Sequence, residues 1–343
     1  MRRRRIWIGW TVLAAALVTA PGAYAAQLIN GAGATFPYPI YSKWFDEFHK
    51  KYPDAAINYQ SIGSGGGIRQ VLEGTVDFGA SDGPMTDEQL AQAKVPILHL
   101  PTVLGAVVAT YNLPGVEKLK LTPEALAGIF LGKITTWNDP ALVKENPTAK
   151  LPAIPIVPVH RSDGSGTSFV FTDYLSKVSP EWQKSVGSGT SVNWPVGIGG
   201  KGNEGVTGLV KQTPNSIGYV ELVYALQNGL PYADVRNRAG RYVPPTLASV
   251  TAAAAAAAAK MPEDFRVSIT DPASADAYPI SSFTWLLIPS RIPDKAKGDI
   301  IKQFLGWMLS DGQAMTTPLN YAPLPPAVID MERRAIDKIT VGG

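Results

Sequence analysis

Arg161-Ser162-Asp163-Gly164-Ser165-Gly166-Thr167-Ser168 runs directly into the apolar segment Phe169 to Leu175, and the strand-like run Ile154 to His160 precedes it. Strand, glycine loop and helix in that order make one α/β unit, and the plan recurs along the chain. The loop puts a cation, small hydroxyls and flexible glycines at the start of an expected helix. A helix start exposes backbone N–H groups without internal partners, and the macrodipole adds roughly half a positive charge there. Such an end receives anions. Gly63-Ser64-Gly65-Gly66-Gly67 precedes Ile68, Val71 and Leu72 at helical spacing. Gly31-Ala32-Gly33-Ala34-Thr35-Phe36 precedes Ile40, Tyr41, Trp44, Phe45 and Phe48, with Pro53 ending the run. Each loop offers a hydroxyl ahead of its helix: Thr35, Ser64, and Ser165 with Thr167. Ordinary N-capping is one reading of these hydroxyls. Their repetition, once beside Arg161, points instead to a shared oxyanion site.

Outward from these loops, short strand-like runs alternate with helical patterns: Ile57–Tyr59, Val76–Ala80, Val103–Tyr111, Ile217–Val220 and Ser281–Ile288. The class is α/β, with mixed, mainly parallel sheets flanked by helices. Val103–Ala109 and Phe283–Ile288 are longer and more apolar, and are read as two hinge segments where the chain crosses between lobes. The expected division is a discontinuous lobe I of residues 26–108 and 282–343, with residues 109–281 inserted as lobe II. Ala252–Ala259 is eight consecutive alanines, expected as a surface helix because alanine has the best helix propensity. Pro323-Leu324-Pro325-Pro326 makes a rigid turn before a last helix over Val328–Ile339.

Residues 1–25 read as a cleaved signal peptide, with a basic Arg2–Arg5, an apolar Ile6–Ala20 and an Ala23-Tyr24-Ala25 cleavage site. The apolar run is short beside the ~20 residues a bilayer span requires. With no cysteine there is no residue for a lipid anchor and no disulfide, so a large core must hold the fold. Cleavage takes the length from 343 to 318 residues and, with four arginines lost, the formal charge from +3 to −1. The basic balance therefore belongs to the signal. No basic patch suggests nucleic acid, and the expected location is the periplasm. A chain of this size exceeds the comfortable size of one core, so two lobes are expected.

His49, His99 and His160 stand far apart without partners at metal-ligand spacing. There is no G-x-S-x-G elbow, and Gly199-Gly200-Lys201-Gly202-Asn203-Glu204-Gly205 lacks the hydroxyl that a phosphate-binding P-loop carries after its lysine. No nucleophile with an activating base is evident. Asp82, in Gly79-Ala80-Ser81-Asp82-Gly83, falls just past an expected strand end, where open α/β sheets place ligands. Asp163, two residues from Arg161, suits a supporting salt bridge as well as a ligand contact.

Seven motifs in order carry a resemblance: Gly31-Ala-Gly-Ala-Thr-Phe-Pro, Gly63-Ser-Gly-Gly-Gly, Asp77-Phe-Gly-Ala-Ser-Asp82, Ile129-Phe-Leu-Gly-Lys-Ile, Arg161-Ser-Asp-Gly-Ser-Gly-Thr-Ser-Phe-Val-Phe, Gly199-Gly-Lys-Gly-Asn-Glu-Gly and Ile217-Gly-Tyr-Val-Glu. From Gly31 to about Leu324 the chain resembles the periplasmic phosphate-binding protein of the ABC phosphate importer (the PstS family). The resemblance implies a two-lobed, type II periplasmic binding protein that closes on one phosphate. It implies ligand contacts from Thr35, Phe36 (through its backbone), Ser64, Asp82, Arg161, Ser165, Gly166 and Thr167, with Asp163 positioning Arg161. It also implies a monomer working with membrane permease and ATPase subunits, without a cofactor or a metal. His160 stands where many relatives have a second arginine.

A carboxylate only accepts hydrogen bonds, so Asp82 requires a proton on its ligand. Phosphate at neutral pH keeps one and sulfate keeps none, which makes Asp82 a filter by repulsion. The expectation is a non-enzymatic inorganic-phosphate receptor. Its rivals are a receptor for sulfate or molybdate, and an exported phosphatase, which would need the metal ligands or nucleophile not evident here.

Overall fold

A computed structural model describes residues 26–342; the expected signal peptide, residues 1–25, lies outside them. Eight strands form one large sheet: β1 (Gln27–Gly33), β2 (Ala55–Ser61), β3 (Phe78–Ser81), β4 (Ile97–Asn112), β5 (Val157–Arg161), β6 (Ile198–Gly200), β7 (Ser216–Glu221) and β8 (Ser281–Pro289). Their spatial order is β2-β1-β3-β8-β4-β7-β5-β6. β1, β2 and β3 pair in parallel at one end, and β5, β6 and β7 in parallel at the other. Between them β8 and β4 run antiparallel to their neighbours. The sheet is thus mixed, two parallel ends joined by an antiparallel centre.

β4 makes the join. Residues 97–106 of it pair with β8, and Val107–Asn112 pair with β7. Its residues from His99 to Tyr111 are all buried, the continuous apolar run of a strand covered on both faces. Pro101 lies inside this central strand, where it has no N–H for the ladder. The register against β8 slips there, Thr284 facing Val103 and Trp285 facing Pro101, so Thr102 is an extra, bulged residue. Its hydroxyl donates to Thr284 O at 3.2 Å.

Four helices begin at the ends of strands: α1 (Tyr38–Lys51), α2 (Ser64–Glu73), α3 (Gly166–Val178) and α4 (Gly202–Gln212). α1 buries Ile40, Tyr41, Trp44, Phe45 and Phe48 as one helical stripe, and its last turn carries His49, Lys50 and Lys51, favourable at the negative end of the dipole.

Two local expectations change. Gln27–Gly33 is a strand that the glycine-rich reading of Gly31–Phe36 hid. Gly31 has no side chain because the Phe78 ring occupies the space, and a Cβ there would overlap that ring. The alanine run belongs to the helix Leu247–Ala258, and it is not simply a surface element: Val250, Ala253 and Ala254 are buried against the central strands. The last helix, Pro326–Asp337, begins inside the proline turn, with proline at its first position.

Candidate functional site

The C-terminal ends of β1, β2 and β3 and those of β5 and β6 open onto one crevice. Thr35 and Phe36 follow β1, Ser64 follows β2, Asp82 follows β3, Arg161 ends β5, and Gly202 and Asn203 follow β6. α2, α3 and α4 start there, so three sets of first-turn amides share the place. The side chains of Thr35, Ser64, Asp82, Arg161, Ser165, Thr167 and Asn203 come from both ends of the sheet, and none of these residues is more than 3% exposed.

The capping alternative holds for one hydroxyl. Ser165 is the N-cap of α3, its Oγ accepting from Ser168 N. Ser64 is the first residue of α2 rather than its cap, and its Oγ accepts from Asp82 N at 3.2 Å. Thr35 does not cap α1. Its Oγ1 accepts from Asn203 N at 3.1 Å, serving the start of α4 instead.

Arg161 is held as a fork. Nε and Nη2 donate to the two oxygens of Asp163 at 2.8 and 2.6 Å, and Nη1 donates to Thr167 Oγ1 at 3.3 Å. Of the five guanidinium N–H groups two have no partner among the described residues. Asp163 also accepts from Gly202 N at 3.0 Å. Burial would raise its carboxyl, but the hydrogen bonds and charge of Arg161 outweigh that and hold it below the usual range. The salt bridge that the sequence spacing suggests for Asp163 is formed. The Arg161 backbone N–H donates to Tyr219 Oη at 3.0 Å, which also pairs with Ser168 Oγ at 2.6 Å. The Tyr219 ring is stacked against Phe171, centroids 4.3 Å apart.

Asp82 is 1% exposed. Thr284 Oγ1 donates to its Oδ1 at 2.8 Å, while Oδ2 has no hydrogen-bond partner among the described residues. Burial pushes its pKa up to about 7, against the opposing pull of the Thr284 hydroxyl, the Arg161 charge and the hydroxyls of Ser64 and Thr167. Gly166 closes over this corner, since a Cβ on it would overlap Ser64 Oγ and lie 2.6 Å from Asp82 Oδ2. The two glycine loops touch, Gly65 N donating to Gly164 O at 2.9 Å.

The first loop is turned by three tyrosines. Tyr59, Tyr224 and Tyr321 donate to the consecutive carbonyls of Ala34, Thr35 and Phe36 at 2.8, 2.5 and 2.7 Å. With these three carbonyls tied into the protein, none of them is left to face the crevice. This is the polarity an anion requires, because carbonyl oxygens facing it would repel.

All nine sequence-derived residues, Thr35, Phe36, Ser64, Asp82, Arg161, Asp163, Ser165, Gly166 and Thr167, lie at this one locus. Sequence reading overlooked Asn203, Tyr219, Thr284 and the three tyrosines. Asn203 stood in the quoted Gly199–Gly205 motif but received no role. Elsewhere, His160 stacks on Trp194 with centroids 5.0 Å apart, and His99 accepts from Met85 N, its pKa lowered to about 4 by burial. Among the described residues no three His, Asp or Glu side chains gather to hold a metal, and no helix is long and apolar enough to cross a membrane.

Comparisons with known proteins agree with this geometry. The family model of the PBP superfamily domain matches residues 18–312. The chain is 47% identical over 306 residues to the phosphate-binding protein PstS of Pasteurella multocida, covering 89% of this chain and 88% of that one. It is 40% identical to PstS of Methanocaldococcus jannaschii, covering 91% and 86%. In fold it is similar to a high-affinity periplasmic phosphate-binding protein solved with phosphate (TM-score 0.72, 24% identity, 90% and 93% covered). A putative phosphate ABC transporter substrate-binding protein from Clostridium perfringens, also with phosphate, gives a TM-score of 0.64 at 20% identity, with 87% and 100% covered. With a superfamily model spanning most of its length and relatives near half-identical along most of theirs, the chain belongs to the PBP superfamily and, within it, to the PstS phosphate-binding proteins.

Proposed function

We propose that this protein binds inorganic phosphate in the periplasm and hands it to the permease and ATPase of an ABC importer, as an exported monomer that catalyses no reaction itself. The observation that carries the reading is the composition of the crevice. The starts of α2 and α3, two guanidinium N–H groups and hydroxyls supply donors, and with them stands one carboxylate oxygen that has no partner among the described residues. A fully ionised anion has nothing to offer Asp82 Oδ2. A phosphate that keeps a proton can donate it there while its remaining oxygens take the donors. Thr35, the Phe36 N–H, Ser64, Arg161, Ser165, Gly166 and Thr167 are the proposed donors, with Asp163 orienting Arg161.

Residues 26–108 with 282–343 form lobe I and residues 109–281 lobe II, the chain crossing within β4 and on entering β8. The contacts of Gly166 with Ser64 and Asp82 are then contacts between lobes, made on closure. Residues 1–25 direct export and are removed. The rival oxyanion reading is disfavoured by Asp82, and the phosphatase reading by the lack of a nucleophile with a base in the crevice.

The test is to release and identify the anion that purifies with the exported protein. The protein, refolded free of anion, is then titrated calorimetrically with phosphate, sulfate and molybdate and assayed for turnover of a chromogenic phosphate monoester. Phosphate should be recovered and should bind far tighter than the others. Stronger binding of sulfate or molybdate, or sustained turnover, overturns the proposal.

A further inference from the structure

Of the three phenols that hold the first loop, two belong to the same proposed lobe as the loop itself: Tyr59 lies on β2, and Tyr321 precedes the last helix. Tyr224 comes from the other lobe. It sits on the short helix Leu222–Gln227, which follows β7, and is 5% exposed. Its Oη donates to Thr35 O at 2.5 Å, so this bond crosses the seam between the proposed lobes. A surface cleft of about 480 Å³ opens along that seam, with Tyr38, Pro39 and Leu319 on one side and Glu204, Thr207 and Tyr224 on the other. Glu204 Oε1 stands 3.1 Å from the same Oη. A phenol has one proton, and the shorter distance gives it to Thr35 O. Glu204 is exposed and lies on α4, within the same proposed lobe as Tyr224. Thr35 O also accepts from Tyr38 N at 3.2 Å, a bond that stays within lobe I.

We infer that Tyr224 is a positioning residue that latches the first loop from across the crevice, bonding Thr35 O only in the closed protein, and so sets how long phosphate is kept. The inference rests on the phosphate and two-lobe readings given above. When the crevice opens, Thr35 O recedes with lobe I and keeps the Tyr38 N–H. The phenol then turns its proton to Glu204 Oε1 or to water, so neither group is left without a partner. On closure the carbonyl enters a site where Thr35 is 2% exposed, and the phenol fills its second lone pair where water no longer reaches. The Tyr224 bond therefore contributes to the closed form alone and must break before phosphate leaves. The bonds from Tyr59 and Tyr321, made within one lobe, are present in both forms.

The test is Tyr224→Phe, which keeps the ring and removes the donor. Protein loaded with radiolabelled inorganic phosphate is chased with an excess of unlabelled phosphate. Release should be roughly 10-fold faster than from the parent, as expected when a hydrogen bond to a buried carbonyl is lost. The association rate should stay near the parent's, because the bond forms after the ligand has entered. Urea unfolding separates a latch from an ordinary structural contact. Without phosphate the variant's midpoint should match the parent's, since the open form uses only an exposed partner, and such contacts contribute little. With saturating phosphate the variant's midpoint should fall below the parent's. Tyr59→Phe makes the same deletion at the neighbouring carbonyl but within one lobe, and should lower the midpoint with and without phosphate alike. Parent-like release by Tyr224→Phe, an equal fall in its midpoint with and without phosphate, or indistinguishable behaviour of the two variants overturns the inference. Phosphate binding and compaction of the parent, measured alongside by calorimetry and X-ray scattering, distinguish failure of this inference from failure of the phosphate or two-lobe reading.

Discussion

Replacing Asp82 by asparagine should stabilise the phosphate-free protein, and the gain should depend on pH in a calculable way. The ordinary carboxyl value of 3.8 is pushed by burial to about 7. At 1.36 kcal/mol per pH unit that displacement amounts to about 4 kcal/mol. The sign follows from linkage: the folded protein holds this proton more tightly than the unfolded chain does. Below the unfolded value both forms are protonated and Asp82 costs the fold nothing. As pH rises through the window up to about 7, the buried carboxylate charges and the cost grows to its full size. Asparagine never charges, and its carbonyl can still accept from Thr284 Oγ1. The difference in unfolding free energy between variant and parent should therefore be near zero at about pH 4 and approach ~4 kcal/mol at about pH 8, read by urea denaturation of anion-free protein. Glu221 and Glu332, both buried with raised values, tilt stability the same way, but they are present in both proteins and leave the difference. A gain of equal size at both ends of the window would assign it to packing, and no gain at all would refute the desolvation argument. The same variant should bind sulfate better relative to phosphate, eroding a discrimination of ~10³. Stability and selectivity thus pull in opposite directions at one atom.

Three further outcomes are expected. Arg161→Ala should weaken phosphate binding by about 2–5 kcal/mol in calorimetry, the range for truncating one partner of a buried charge pair; near-parent affinity would make the Arg161–Asp163 pair purely structural. Gly166→Ala drives a methyl into Ser64 Oγ, so it should lower affinity more than ~10-fold and abolish the fall in radius of gyration that closure on phosphate is expected to give in the parent. Unaltered compaction in X-ray scattering would count against closure at this contact. Glu332, on the helix Pro326–Asp337, is buried with neither carboxyl oxygen hydrogen-bonded among the described residues, and burial alone raises its pKa well above the usual value. Glu332→Gln should therefore raise the melting temperature at neutral pH and change it little under acid conditions; a pH-independent shift would contradict this.

What neighbouring residues build together was legible in the chain alone. Loops of glycine and hydroxyl residues ahead of apolar stripes could be read at Gly63–Leu72 and Arg161–Leu175 because helix starts and anion sites are made from neighbours in the chain. The α/β class was legible for the same reason, since strand and helix periodicities are local. The bond from Asn203 to Thr35 joins residues 168 positions apart, and the one from Thr284 to Asp82 joins residues 202 apart. Nothing local marks either partner. The three tyrosines that turn the first loop come from elements scattered along the chain, and each looks like an ordinary core aromatic in its own segment. The strand Gln27–Gly33 was hidden because glycine erases the side-chain alternation that announces a strand, and the glycine is there to make room for Phe78. Whether a hydroxyl caps its own helix or serves another was likewise open, and Thr35 turned out to serve α4. A side chain's type limits what it can donate or accept, but which of those bonds it makes is decided by the partners that folding brings within reach.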